Sequence, residues 1–461
     1  MSGALLVVPP LLKYLAGPLA GPSLLAGVAA SEGIAFRIAD LNAAWLRAFP
    51  VGDDAGGPVG DHARPMGGFA VAARAWRDLS AWALGEPVGY VPQGDDPALA
   101  LCYEHDRIEA AVDRMARALD WRLDGERPDL VGVSVLWSGQ VLGGLVASVL
   151  AKRTWTGVPV IWGGAHVAAL VPEIVRDPRY GRHVDGFVAG YAEGTFRSLL
   201  CGGREGVFVA GEGRAVRAVE ERGVVPAFGD LAAYGRPRLT LPAQTGRGCA
   251  YAKCAFCTYP AIEGAARDLD LAALAAVVAE AEARGAEVAV KDALATPARL
   301  DAIANVVRGR VRWAACTRLV PRLGRARLAR LVDAGLRTLE VGVESLEPAH
   351  LARLRKAQPP ALVEDLLRDA EGLDVTLVLN TMCGFPGQTE AEADAERIAL
   401  AEAVAHHPGA RVHVERNRLQ VERRAPLAAT PERFGIRLGR SWPWSSIHLW
   451  EPLPAVVMEV A

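Results

Sequence analysis

Gly246-Arg247-Gly248-Cys249-Ala250-Tyr251-Ala252-Lys253-Cys254-Ala255-Phe256-Cys257 gathers three of the chain's seven cysteines into one glycine-flanked loop. Thiolates are soft ligands that suit iron-sulfur clusters, zinc or copper(I), and such tight spacing lets a short loop wrap a single inorganic centre. A structural zinc site wants four protein ligands. No other cysteine is near in sequence, and no histidine occurs between His183 and His350. A four-iron cubane on three thiolates would keep one iron open to a ligand that is not protein, which makes it a reaction site. The plain alternative is three reduced cysteines that only pack.

The loop resembles the signature of the radical S-adenosylmethionine (SAM) enzymes, in which three cysteines hold a 4Fe-4S cluster and an aromatic residue precedes the last, as Phe256 does. The family's usual spacing is C-x3-C-x2-C, whereas this chain has C-x4-C-x2-C, with one residue extra between Cys249 and Cys254. Gly246 and Gly248 at the loop's entrance reach backbone angles closed to other residues and can absorb the insertion. The resemblance implies that Cys249, Cys254 and Cys257 are both the cluster's ligands and the catalytic centre.

Outward from the loop, the chain of 461 residues is long enough for two to four domains. Its 51 basic and 53 acidic residues nearly cancel, so no polycationic surface points to nucleic acid. The cysteines are too few and too unevenly placed for a disulfide framework, which fits a reducing cytoplasm. The first thirty residues are apolar with Lys13 as the one charge, but Pro9, Pro10, Pro18 and Pro22 cut them into pieces shorter than the roughly 20 residues a membrane span needs. No basic stretch precedes them, so they read as part of a globular fold and not as a signal or a span.

The segment Ala4-Leu5-Leu6-Val7-Val8 is a continuous apolar run stopped by Pro9-Pro10, as a buried parallel strand would be. A helix from Pro22-Ser23 and a strand over Phe36 to Ala39 follow. Residues of about 51–105, rich in Gly and Pro with Trp76 and Trp82 among them, read as a partly helical insertion. The alternation resumes with a helix near Asp106 to Leu119, then Leu130 to Leu136, a helix around Leu142 to Ala151, Pro159 to Trp162, a helix near Val167 to Val175, and Val184 to Ala189. Five apolar strands alternating with helices predict a doubly wound, Rossmann-like parallel sheet. Ligands bind such sheets beyond the strands' carboxyl ends, where this chain has Ser134-Val135-Leu136-Trp137-Ser138-Gly139-Gln140, Gly163-Gly164-Ala165-His166 and Gly190-Tyr191-Ala192-Glu193. There is no G-x-G-x-x-G after the first strand, which argues against a dinucleotide.

These turns, in this order, resemble the cobalamin-binding domain that precedes the radical SAM domain in many cobalamin-dependent members. The resemblance implies cobalamin contacts at Ser134, Leu136, Trp137, Ser138, Gln140, Gly163, Gly164, His166, Gly190 and Glu193. No D-x-H-x-x-G occurs, so no histidine is placed to ligate cobalt from below, and Trp137 or Gln140 could lie near the lower face of the corrin. Each also has a plain reading: Trp137 as packing, Gln140 as a helix N-terminal group, His166 as an ordinary loop histidine.

After a linker over 214–237, the chain alternates more regularly. Strands are expected at Arg238 to Ala243, Glu287 to Val290, Val311 to Ala315, Thr338 to Val343, Val375 to Asn380 and Arg411 to Glu415. Helices fall near Leu271 to Arg284, Pro297 to Val307, Leu323 to Ala334, Ala361 to Gly372 and Glu390 to His406. Six such units cannot close an eight-stranded barrel, so an open, partial TIM-type barrel is expected, with active groups at the strands' carboxyl ends. The domain layout is therefore 1–213 cobalamin-binding, 238–425 radical SAM barrel and 426–461 a short aromatic-rich C-terminal segment, read chiefly as packing against the barrel and otherwise as a lid. Gly342 to Ser345 and Gly384-Phe385-Pro386-Gly387-Gln388-Thr389 resemble the family's SAM-contacting segments, which implies SAM contacts at Phe256, Asp292, Arg318, Glu344, Ser345, Asn380 and Gly384. A ribose needs acceptors such as Glu344, but Glu344 and Ser345 could equally cap a helix, and Arg318 could form an internal ion pair.

The resemblance as a whole implies three cofactors, a 4Fe-4S cluster, SAM and cobalamin, and an external electron donor such as flavodoxin or ferredoxin. It implies C-methylation of a substrate radical, in natural-product biosynthesis. A non-methylating rearrangement or cyclisation, and a catalytically inactive cofactor-binding protein, remain open, and the small-molecule or peptide substrate is not legible.

Overall fold

The computed structural model describes residues 3–10, 17–48, 66–85, 104–119, 121, 123, 125–229, 231–234 and 239–453. Most of the expected insertion, part of the linker and the last residues lie outside the described residues. The first unit runs β1 (Gly3–Val8), α1 (Ala20–Ser31), β2 (Ala35–Asp40), α2 (Leu41–Arg47), α3 (Met66–Leu84), α4 (His105–Ala118), β3 (Leu130–Ser134), α5 (Val141–Thr154), β4 (Val160–Gly163), α6 (Ala165–Ile174), β5 (Gly186–Phe187) and α7 (Glu193–Leu200). Its five strands pair in parallel in the order β2-β1-β3-β4-β5. Helices cover both faces. Val28 and Ala29 of α1 and Phe196 and Leu199 of α7 pack on one, while Ile108 and Met115 of α4 and Leu142 of α5 pack on the other. The order reverses between β1 and β3, which opens a crevice at the carboxyl ends of those central strands.

The second unit comprises β6 (Thr240–Ala243), β7 (Gly246–Arg247), α8 (Tyr259–Glu263), β8 (Arg267–Asp268), α9 (Ala272–Arg284), β9 (Glu287–Val290), α10 (Pro297–Val307), β10 (Trp313–Arg318), α11 (Arg325–Asp333), β11 (Leu336–Glu344), α12 (Pro348–Arg353), α13 (Leu362–Ala370), β12 (Thr376–Cys383), α14 (Glu390–Ala405) and β13 (Arg411–Arg418). Six parallel strands stand in the order β13-β12-β11-β10-β9-β6, and the sheet does not close. Alternation separates its faces. Trp313 and Thr317 of β10 hydrogen-bond helix-side carbonyls at Ala334 and Ala295, so they point outward. Cys316 and Arg318 then point into the concave side, in register with Glu340 and Gly342 of β11, and Gly342 with Asn380 of β12. The short helix α12 and the β7–β8 hairpin around the cysteine loop were not expected from the sequence. Both are too short to show a period.

The chain ends in β14 (Val421–Glu422), α15 (Pro426–Ala429), β15 (Ile436–Leu438), β16 (Ile447–His448) and β17 (Trp450–Pro452), with β14 paired to β16 and β15 to β17. Phe434 and Ile436 bury against Ala255, Leu354 and Phe385, beside the cysteine loop. Trp444 does not pack on the barrel as the aromatic run suggested. Its ring sits among Tyr180, Trp162 and His105 of the first unit, with centroids 4.4, 5.6 and 5.8 Å away. Its indole N–H donates to His105 Nδ1 at 3.1 Å. Residues 442–446 are therefore a strap across the two units. Arg423 holds it by donating to the carbonyls of Trp442 and Ser445, both at 2.6 Å.

Candidate functional site

The cysteine loop is braced at every turn. Gly248 has φ +69, and a Cβ there would lie 2.8 Å from the carbonyls of Gly264 and Ala265, so glycine is required. Tyr251 donates to the carbonyl of Arg355 at 2.5 Å and accepts the N–H of Ala357 at 2.8 Å, which latches the loop to the chain after α12. The Arg318 guanidinium lies 3.8 Å over the Tyr251 ring. The Ala255 N–H donates to the Leu354 carbonyl at 2.8 Å, and the Leu427 N–H to the Ala255 carbonyl at 2.8 Å.

Cys249, Cys254 and Cys257 are all partly buried free thiols, close enough that Cys257 feels the charge of both others. Burial pushes Cys257 up to about 12 and raises Cys254. With protein alone around them Cys254 and Cys257 stay protonated, and a cationic centre would draw out their thiolates. Three partly buried free thiols on one loop fit an iron-sulfur cluster in donor type. Among the described residues no group of three His, Cys, Asp or Glu side chains is drawn together tightly enough for a single metal ion.

Around the barrel mouth, most of the residues expected to touch SAM are engaged with protein. Glu344, at φ +64 on the bulged end of β11, accepts from Lys356 Nζ at 2.9 Å, and the Lys356 charge reaches Cys254. Gln358 donates to the carbonyls of Gly342 and Val343 at 3.0 and 2.7 Å. Ser345 donates to Glu396 at 2.5 Å, Gln388 donates to the same carboxylate at 2.9 Å, and the Gly384 N–H donates to Gln388 at 2.7 Å. Ser345 and Gly384 thus hold the ends of β11 and β12 together. Asp292 is 7% exposed and accepts the Thr245 N–H and hydroxyl at 2.7 and 2.5 Å, which makes it a support for the segment entering the cysteine loop. Burial raises its carboxyl. Arg318 donates to the Ala357 carbonyl at 2.5 Å rather than forming an ion pair. Asn380 reaches Glu340 at 3.4 Å inside the sheet. Phe256 packs beside Ala255 and Phe385. Lys356, Gln358 and Glu396 were missed by sequence reasoning because nothing local distinguishes them from surface charge and amide.

At the carboxyl edge of the first sheet lies a cavity of about 360 Å³, lined mostly by apolar side chains. Ser134, Leu136, Gly163, Gly164, Gly190 and Glu193 of the expected set line it. The other four do not, for physical reasons. Gln140 is fully buried, its oxygen accepting the Leu136 N–H at 2.8 Å and its nitrogen donating to the Pro9 carbonyl at 2.6 Å. Ser138 binds the strap, accepting the Ser446 N–H at 3.0 Å. Trp137 packs beside Val8 and Leu19. His166 is 2% exposed beside the Trp444 backbone, its ring nitrogens form no well-aligned hydrogen bond, and burial holds it down to about 3. Gln244 and Lys291, from the ends of β6 and β9, line the same cavity, so it is shared by both units. Glu193 also faces Arg247 at 2.5 Å, with both side chains 3% exposed. Arg247 continues to Glu220 at 2.9 Å and stacks 3.8 Å over Tyr191.

Residues 244–398 match the radical SAM superfamily. No curated protein matches the sequence. Among solved structures, TsrM from Kitasatospora setae, a radical S-adenosylmethionine methyltransferase with cobalamin and a [4Fe-4S] cluster bound, is similar over 98% of this chain and 84% of its own, with TM-score 0.63 at 15% identity. The same protein with tryptophan substrate and a SAM analogue aligns over 99% and 86% with TM-score 0.62, also at 15% identity. The cobalamin-dependent S-adenosylmethionine radical enzyme OxsB, with aqua-cobalamin and SAM bound, aligns over 97% of this chain and 64% of its own with TM-score 0.60 at 13% identity. Among the described residues no helix is long and apolar enough to cross a membrane. The barrel half of this chain is thus a radical SAM domain, and the chain from end to end has the fold of cobalamin-dependent radical SAM enzymes.

Proposed function

We propose that the chain is a cobalamin-dependent radical SAM C-methyltransferase acting on a small-molecule or peptide substrate. Cys249, Cys254 and Cys257 would hold a 4Fe-4S cluster, the mouth around Glu344 and Gly384 would hold SAM, and the turns at Ser134, Leu136, Gly163, Gly164 and Gly190 would hold cobalamin. When bound, these groups supply a radical on a substrate carbon and a methyl group to cap it.

The observation that carries this reading is the shared cavity, in which Gln244 and Lys291 of the barrel face Leu136 and the glycine turns of the first sheet. Glycine at 164, where φ is +106, lets a flat ligand approach the backbone. Apolar Leu136, 37% exposed, gives that ligand a face without donors and keeps water from it. The Glu193–Arg247 pair ties the first sheet to the residue before Gly248, which sets the distance between the two cofactor surfaces. Glu344 offers a carboxylate at the mouth for hydroxyls and is paired with Lys356 at 2.9 Å.

Anaerobic purification with cobalamin, iron and sulfide supplied should yield protein carrying both cobalt and iron. Incubation with dithionite as one-electron reductant and SAM bearing a labelled methyl group, beginning with L-tryptophan because one similar structure contains it, should move label to carbon and form 5'-deoxyadenosine. A product of unchanged mass beside 5'-deoxyadenosine would replace methyl transfer with a rearrangement, and absence of both metals would remove the reading altogether.

A further inference from the structure

Tyr191 stands on the border between the two units. It follows Gly190 in the turn between β5 and α7 and lines the shared cavity beside Gly163, Gly164 and Glu193. The side chain is partly buried, with the Arg247 and Arg267 guanidinium groups 3.8 and 5.3 Å from its ring centroid. Burial keeps the phenol protonated, and its hydroxyl donates to the Glu263 carboxylate.

Glu263 is the residue that closes the cysteine loop. It ends α8, which starts two residues after Cys257, and its carboxylate accepts the Gly248 N–H at 2.8 Å. One side chain thus joins the residue before Cys249 to the helix after Cys257, with all three cysteines on the chain between them. Arg267 steadies the same corner by donating to the Ala265 carbonyl at 2.9 Å and the Glu263 carbonyl at 3.4 Å. The Tyr191 hydroxyl reaches this closing contact from the other unit, while its ring borders the cavity.

Building on the proposed function, we infer that Tyr191 is a positioning residue that links the two cofactor sites, so that cobalamin in the shared cavity and a cluster on the cysteine loop each strengthen the binding of the other. Once a corrin fills the cavity, the Tyr191 ring loses its water. In that drier setting the hydroxyl–carboxylate and ring–guanidinium contacts strengthen, and Glu263 is held where it closes the loop. In the other direction, a cluster fixes Gly248 and Glu263, and through them it fixes Tyr191 as a wall of the cavity. The corner is then ordered once for both ligands. Linkage makes the two effects equal in free energy.

The experiment is equilibrium dialysis of hydroxocobalamin against the full chain, with and without its cluster, in wild type and Tyr191→Phe, with cobalt read by atomic absorption. In wild type the dissociation constant should be at least about fivefold lower for the cluster-loaded protein. Phenylalanine keeps a ring beside Arg247 and removes the hydroxyl, so that ratio should fall to within about twofold of one. A merely structural lesion would weaken binding in both forms and leave the ratio as it was. A wild-type ratio near one overturns the inference, and so does a Tyr191→Phe protein that keeps the wild-type ratio. A variant that binds cobalamin with the cluster-free affinity yet holds no iron is the limiting form of the expected result. If Tyr191→Phe does not fold, Glu263→Ala removes the acceptor from the other end and is judged by the same ratio. Wild type that takes up neither cobalt nor iron would defeat the proposed function itself, whereas uptake of both with equal cobalamin affinities defeats only the link.

Discussion

Glu193, the first residue of α7 in one unit, and Arg247, two residues before Cys249 in the other, meet at 2.5 Å with side chains 3% exposed. A pair so buried is costly to break because the survivor is left charged and dry. Arg247→Met should therefore destabilise the protein by about 3–5 kcal/mol, and Glu193→Leu added to it should recover a large part. Glu220 keeps Arg267 as a partner in both variants. Urea denaturation of the three proteins checks this, and a single variant as stable as wild type would refute the role of the pair as a bolt between the units.

Replacing any one of Cys249, Cys254 or Cys257 by alanine should abolish iron retention while far-ultraviolet circular dichroism stays that of wild type. Cys316, on the concave face of β10, feels the charge of Cys249, and burial raises its thiol far above the usual range. It lies outside the loop, so Cys316→Ala should keep its iron. Iron analysis after anaerobic reconstitution reads both results, and equal iron in all four variants would exclude the loop as the cluster site.

Acid should loosen the strap. Burial holds His166 at about 3 and His448 at about 4, each down from 6.5, and also lowers His105. The Arg423 charge adds to both of the first two, and Asp177 opposes the shift at His105. Between those values and 6.5 the unfolded chain binds more protons than the folded one. Stability from these histidines is full above the unfolded value and is lost as pH falls, for His166 on the order of 4 kcal/mol by pH 3. Unfolding free energy followed from about pH 7 to about pH 4.5 should decline less steeply in His166→Gln than in wild type. Parallel curves would contradict this.

Gly164→Ala tests the cofactor turn. At φ +106 a Cβ would lie 2.3 Å from the Val135 carbonyl, so alanine should cost more than about 1 kcal/mol and displace the turn. Cobalt retained after gel filtration should fall well below the wild-type level while iron does not. Undiminished cobalt would mean that the turn does not touch the corrin.

The strands of both sheets were largely legible, because parallel strands covered on both faces read as unbroken apolar runs and helices between them keep a separate period. Glu287–Val290 and Pro297–Val307 occur at the positions their patterns predict. That three cysteines share one loop was legible from their spacing. Gln140, Ser138 and His166 have partners far along the chain, Pro9, Ser446 and the Trp444 backbone, which no local pattern could show. Asp292 likewise supports Thr245, 47 residues away.

From the order of its residues alone this chain determined which segments become strands, which become helices, and that three sulfurs lie on one loop, since those depend on short-range period and spacing. Only the tertiary structure decided that Arg247 locks onto Glu193, that Trp444 seats in the first unit, and that one cavity is shared between two sheets. Those outcomes depend on which distant buried charges and rings must satisfy one another away from water, and no local pattern encodes that choice.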